Sequence, residues 1–134
     1  MTTIQIKKLD PPHEGDIPSD IEWIGESFGL ASPRSKEEIP LRIFQLVLGA
    51  QPQRHGVKSD YLARECRLTR AAIIYHLHHL MEAGLLVRQG SEYTLRYRSL
   101  KRTIEEVEHD VSRIFADMKR IAEQVDESMG LSYR

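Results

Sequence analysis

Three histidines crowd a short stretch of this 134-residue chain, His76, His78 and His79, and its one cysteine, Cys66, stands ten residues before the first of them. His76 and His79 are three apart, so a helix would turn both imidazoles to one side, the arrangement from which a zinc site starts. No third ligand follows at a matching spacing, and His55 is only a loose candidate. These histidines are therefore expected to make hydrogen bonds or to face a ligand, and no metal or other cofactor is expected. One cysteine rules out an intrachain disulfide framework and any site built from several thiolates; Cys66 reads as a small core residue. The chain has no glycine-rich phosphate loop, no nucleophile with a placed base and no paired carboxylates in a catalytic setting, so it does not read as an enzyme.

The remaining chemistry is cationic. The net charge is −1, but the charge is segregated. Residues 53–102 hold ten bases (Arg54, Lys58, Arg64, Arg67, Arg70, Arg88, Arg96, Arg98, Lys101 and Arg102) against four acids, a surplus of six. Residues 1–52 carry a net −3 and residues 103–134 a net −4. A basic middle between acidic flanks is the footprint of a polyanionic partner.

Those cations need elements to hold them. Residues 1–18, with Pro11, Pro12 and Pro18, read as an extended arm. Ser19 and Glu22 form a capping box for a short helix ending at Gly29, with Ile21, Ile24 and Phe28 on its apolar side beside Trp23. Ser35 and Glu38 form a second, opening a core helix over about 36–49 through Ile43, Phe44, Val47 and Leu48; Pro40 would move its start toward Leu41. Ser59 is expected to cap a short helix to Cys66, and Thr69 the next one, to Ala83, with Ile73, Leu77 and Leu80 pointing one way and Gly84 closing it. Leu85–Arg88 and Glu92–Arg98 read as two strands around a tight turn at Gly90, with Tyr93, Leu95 and Tyr97 on one face. Last, Ile104, Val107, Val111, Ile114, Met118, Ile121 and Val125 alternate spacings of three and four, a seam on a helix over about 99–129 and roughly 45 Å long.

The stretch Leu62-Ala63, Thr69, His76-Leu77 and Ala83-Gly84-Leu85 lies in the register of winged helix-turn-helix proteins. It resembles the arsenical-repressor-type transcriptional regulators of archaea and bacteria over about residues 40–98. The resemblance implies a mainly α fold with a small β-hairpin wing for the winged domain (36–98). The residues themselves add an arm with a short amphipathic helix before it (1–35) and a long helix after it (99–134), which fit the habit of such proteins to dimerise through flanking helices. The resemblance implies a cytoplasmic homodimer that binds double-stranded DNA, with the 70–83 helix in the major groove and the 86–98 wing on the backbone or minor groove. The metal motifs of that family are absent, so metal sensing does not carry over.

The residues agree on their own terms. A helix buried through Ile73, Leu77 and Leu80 turns Arg70, Ala71, Ile74, Tyr75 and His78 outward, toward a groove about 12 Å wide. Arg70 suits guanine or phosphate, Ala71 and Ile74 a thymine methyl, and Tyr75 a phosphate. Arg88, Arg96 and Arg98 on the wing, with Lys58 and Arg64 (and Arg54), would add backbone contacts. The outward face lacks Asn, Gln and Ser, which leaves RNA or ribosome association, or a protein-interaction module of the transcription or translation machinery, as alternatives. The seam outruns a domain of this size and points to a homodimer, with Trp23 and Phe28 as candidate additions and the helix orientation open. No apolar run is long enough to span a membrane, and no secretory signal opens the chain; a cytoplasmic location is expected.

Overall fold

The computed structural model describes residues 2–13, 15–32, 34, 38–53 and 55–131. Four of the five described α-helices start where a side-chain acceptor or a proline permits it. Helix α1 (Ile17–Ser27) is capped by Asp16, whose carboxylate accepts from the Ser19 backbone N–H at 2.8 Å. The hydrogen bonds from Ser19 hold that carboxyl below its ordinary range. Ser19 itself lies inside the first turn and is not the cap; Pro18, which needs no backbone partner there, lets the helix begin earlier. Helix α2 (Ile39–Ala50) follows Glu38, with Pro40 in its first turn. The Ser35 cap expected for this helix lies outside the described residues, and the Glu38 carboxylate accepts instead from the Ser32 N–H at 3.2 Å.

Helix α2 is the centre of the molecule. Its Leu41, Ile43, Phe44 and Val47 are fully buried, and it touches α1, α3, α4 and the sheet. Around it pack Leu62, Ile73, Leu77, Leu80, Leu85 and Leu86, all at 1% exposure or less. Burial of each such side chain contributes about 1.5–3 kcal/mol. Leu30 and Ala31 belong to the same cluster. The arm is bound too: the Thr3 N–H donates to the Glu82 carbonyl at 2.9 Å and the Lys7 N–H to that of Ser27 at 2.7 Å.

After a single turn of 3-10 helix at Gln51–Gln53, strand β1 (Val57–Lys58) leads into helix α3 (Ser59–Cys66) and helix α4 (Arg70–Glu82). Strands β2 (Leu86–Gln89) and β3 (Glu92–Leu95) then form a hairpin. The sheet is antiparallel with β3 in the middle: Val57 faces Tyr93, and Leu86 faces Leu95. Gly90 takes φ +64° in the two-residue turn, where a side chain would be strained. Two residues of β1 are too few to register as an alternation in the sequence.

Strand β3 stops at Leu95, three residues before the expected end. The Tyr97 N–H leaves the sheet and donates to the buried Thr103 hydroxyl at 3.1 Å. Its ring then lies 5.1 Å from the Arg102 guanidinium and 5.9 Å from that of Arg96, rather than in line with Tyr93 and Leu95.

Helix α5 (Leu100–Met129) is capped by Ser99, whose hydroxyl accepts from the Arg102 N–H at 3.1 Å, and ends at Gly130 in a left-handed conformation. Val107 is buried against the body, and Ile104 and Val111 are half-buried. From Ser112 to Leu131 every residue is exposed. The seam read as one surface is thus two: its first turns close the core of their own chain, and its remainder is bare. No described helix is long and apolar enough to cross a membrane.

Candidate nucleic-acid interface

The side of α4 toward the body is sealed by Ile73, Leu77 and Leu80. Thr69 caps the helix, its hydroxyl accepting from the Ala72 N–H at 3.2 Å, and α3 packs alongside. Arg70, Ala71, Tyr75 and His78 are exposed, Tyr75 at 62%; Ile74 is half-buried and packs partly on the core. Ile74 is therefore a support for the face more than part of it. The Tyr75 ring meets His76 and His79 edge-on, with centroids 5.4 and 4.6 Å apart. Burial pushes His76 down from its ordinary value, with His79 adding to the shift, so it is neutral near pH 7. Among the described residues no group of three or more potential ligands converges, so the histidine pair has no metal-site partner there.

Ser59 was expected as a cap and is not one: α3 begins at Ser59 itself, after Lys58. Its buried hydroxyl instead accepts from Arg70 Nε at 3.1 Å, and Asp60 lies 3.8 Å from the same nitrogen. Arg70 is steadied through the Nε of its guanidinium while its side chain remains 71% exposed. Lys58 and Arg64, at the two ends of α3, are exposed. Arg54 lies outside the described residues.

Between α3 and α4, Arg67 adopts φ +55°, among the described residues the one non-glycine in left-handed backbone. Its N–H, with that of Leu68 onto the Ala63 carbonyl at 3.0 Å, satisfies the end of α3. That places an exposed cation on the turn ahead of α4, a position the sequence did not single out. A glycine there would have marked the turn; an arginine hides it.

The hairpin divides its arginines. Arg88 and Arg98 are exposed, Arg88 Nε also donating to the Gly90 carbonyl at 2.8 Å. Arg96, expected among the nucleic-acid contacts, turns the other way. Its Nη1 donates to Asp110 Oδ2 on α5 at 2.6 Å and its Nη2 to Oδ1 at 3.4 Å, and Arg113 also donates to Asp110. Behind them Gly84 takes φ +82°, and a Cβ there would stand 3.0 Å from Arg96 Nη1 and 3.3 Å from Val107 Cγ2. Arg96 is a strut between hairpin and stalk, already paired. Gln51 Nε2, on the 3-10 turn after α2, donates to Thr94 Oγ1 on the hairpin at 3.0 Å, beside an open polar groove of about 590 Å³.

The strut carries a pH signature. The hydrogen bond from Arg96 holds the Asp110 carboxyl below its ordinary 3.8 and raises the guanidinium in turn. A carboxylate depressed on folding stabilises above its unfolded pKa and loses that contribution as pH falls through the folded one. Asp110→Asn is therefore expected to lower stability by about 1.5–3 kcal/mol near neutrality, the usual worth of a hydrogen bond to a charged group. The gap between wild type and variant should begin to narrow below about pH 4 and close as the pH falls through the folded pKa. Urea midpoints across pH 2.5–7 measure it, and a gap constant over that range contradicts the strut.

Cys66 is half-buried against the core; burial pushes its thiol up, and Arg42 offsets this only in part. The reactive thiolate is disfavoured, in keeping with a packing role. Trp23 is half-buried, its indole nitrogen without a partner, and Phe28 packs on the core of its own chain.

Compared with known protein families, with curated proteins and with solved structures, the chain matches none.

Proposed function

We propose that the chain is a dimeric double-stranded DNA-binding regulator of winged helix-turn-helix type. The first turn of α4 enters the major groove, and the β2–β3 hairpin lies against the backbone or minor groove. One observation carries the reading: α4 is fixed to the core by Ile73, Leu77 and Leu80 while Arg70, Ala71, Tyr75 and His78 stand exposed on its other side. A helix held in this way, with Arg67 and Lys58 beside it, is a rigid cationic probe of groove width. The element order of helix, short helix, turn, longer helix and hairpin supports the same reading. No cofactor is invoked.

Arg70 is the residue placed to read a base, by a bidentate contact to guanine. Selection from a random duplex library should return a preferred site. On that site Arg70→Ala is expected to cost about 1–3 kcal/mol more than on random duplex. Equal losses on both would make Arg70 a phosphate contact only.

The exposed Tyr75 ring favours one second reading. An aromatic ring flanked by histidines is a stacking platform for unpaired bases, as in recognition of single-stranded RNA. Preference for RNA carrying unpaired loops over both duplex DNA and fully paired RNA, in direct competition, would replace the first reading with this one.

A further inference from the structure

The turn between α3 and α4 carries a residue ill suited to its backbone. Arg67 takes φ +55° and ψ +46°, a conformation that a β-carbon makes unfavourable and that glycine adopts freely. The turn itself has no use for the guanidinium. Its shape is set by main-chain hydrogen bonds, from the Arg67 N–H to the Arg64 carbonyl at 3.3 Å and from the Leu68 N–H to the Ala63 carbonyl at 3.0 Å. Leu68 then packs on the core and holds the exit of the turn. All of this survives with glycine at position 67, the usual residue where a helix ends in left-handed backbone.

The Arg67 side chain does not serve the fold in another way. It is exposed, and among the described residues it makes no hydrogen bond, ion pair or ring contact. A base near a helix C-terminus offsets the macrodipole, but Arg64 already stands in the last turn of α3. The surroundings add like charge. Arg64 and Arg70 are exposed three residues to either side, and Arg42 on α2 is near enough to Cys66 to draw its thiol down in part. Of the acids at this corner, Asp60 faces Arg70, and Glu65 is left against the rest.

An unfavourable backbone conformation that brings the free chain no compensating contact is accounted for by a contact made outside the chain. We infer that Arg67 binds a backbone phosphate of the duplex at the rim of the groove that α4 enters, and that the arginine is kept there although it lowers the stability of the free chain. The inference rests on the DNA-binding function proposed above and deepens it with a residue that lies on neither α4 nor the hairpin. Phosphate contacts fix the register and orientation of a reading helix while carrying no sequence themselves. Arg67 is placed for that task because the turn is rigid on both sides: Leu68 is docked on the core, and Thr69 caps α4. A phosphate held by Arg67 therefore sets where the first turn of α4, and Arg70 with it, meets the bases.

The test uses the full chain and a mixed-sequence DNA duplex, because a phosphate contact does not depend on sequence. Arg67→Gly relieves the backbone and removes the charge, so its two effects have opposite signs. Its urea midpoint should lie at or above that of wild type, and above that of Arg67→Gln, which loses the charge but keeps the β-carbon. Its affinity should fall about eightfold for each chain in contact at about 0.1 M monovalent salt, the effect of one phosphate at a slope of about 0.9. The slope of log affinity against log salt should flatten by about one per chain in Arg67→Gly and Arg67→Gln alike, and hold in Arg67→Lys. A midpoint of Arg67→Gly below wild type means that the arginine serves the turn, and overturns the inference. An unchanged slope in Arg67→Gly, with wild-type binding salt-dependent as expected, also overturns it and leaves the proposed function standing. A wild-type chain with no salt-dependent affinity for the duplex removes that function and this contact together.

Discussion

Raising monovalent salt from 50 to 200 mM is expected to weaken binding to duplex DNA by about 10³-fold or more. Lys58, Arg64, Arg70, Arg88 and Arg98 are exposed on each chain, and each phosphate they neutralise releases counterions. Two chains acting together bring six to ten such contacts within reach, the range in which losses of this size arise. The slope of log affinity against log salt, followed by fluorescence anisotropy, also separates the arginines of the hairpin. Arg88→Gln or Arg98→Gln should flatten the slope by roughly one contact per chain. Arg96→Gln should leave the slope unchanged while lowering stability, because that guanidinium is already spent on Asp110. A flat salt dependence for the wild type would remove nucleic acid as the partner and promote a protein-interaction role. A change of slope on Arg96→Gln equal to that of its neighbours would mean the strut opens on binding.

The difference between Arg96 and its neighbours shows where the sequence stops speaking. Helices α4 and α5 were legible because each repeats an apolar residue at helical spacing and because Thr69 and Gly130 mark their ends. The hairpin was legible from its alternation and its glycine turn. Its end was not, because Tyr97 continues the alternation in type while its N–H is captured by Thr103 from the next helix. Asp110 is fourteen residues from Arg96, and no local pattern couples them. At α1 the sequence pointed to Ser19 as the cap; Asp16, three residues earlier, caps the helix instead, with Pro18 in its first turn. Of the candidate interface, the exposed set on α4 (Arg70, Ala71, Tyr75 and His78) was legible in the sequence. The sequence could not say that Ile74 leans into the core, nor that the backbone at Arg67 turns left-handed. Periodicity reports that a face is apolar; it does not report which protein covers it.

That last point makes the stalk the place for the second large effect. Met118→Glu together with Ile121→Glu is expected to abolish self-association and leave each body folded. Both side chains are about half exposed, at 51% and 48%, and neither belongs to the core cluster, so the single chain loses little. In a pair the same changes remove about 1 kcal/mol or more of burial at each of four positions, and force four carboxylates out of water. Val107→Glu is the contrasting control. At 2% exposure Val107 is part of the core of its own chain, and the charge should unfold the body instead of separating two copies. Sedimentation equilibrium and circular dichroism tell the two outcomes apart. Splitting the pair should also cost affinity on a two-half-site duplex by about 10²–10⁴-fold, because the second body no longer binds as a tethered neighbour. Binding to an isolated half-site should stay as it was. If the double variant binds the full site as tightly as wild type, each body acts alone and the bare face of α5 serves something other than DNA recognition.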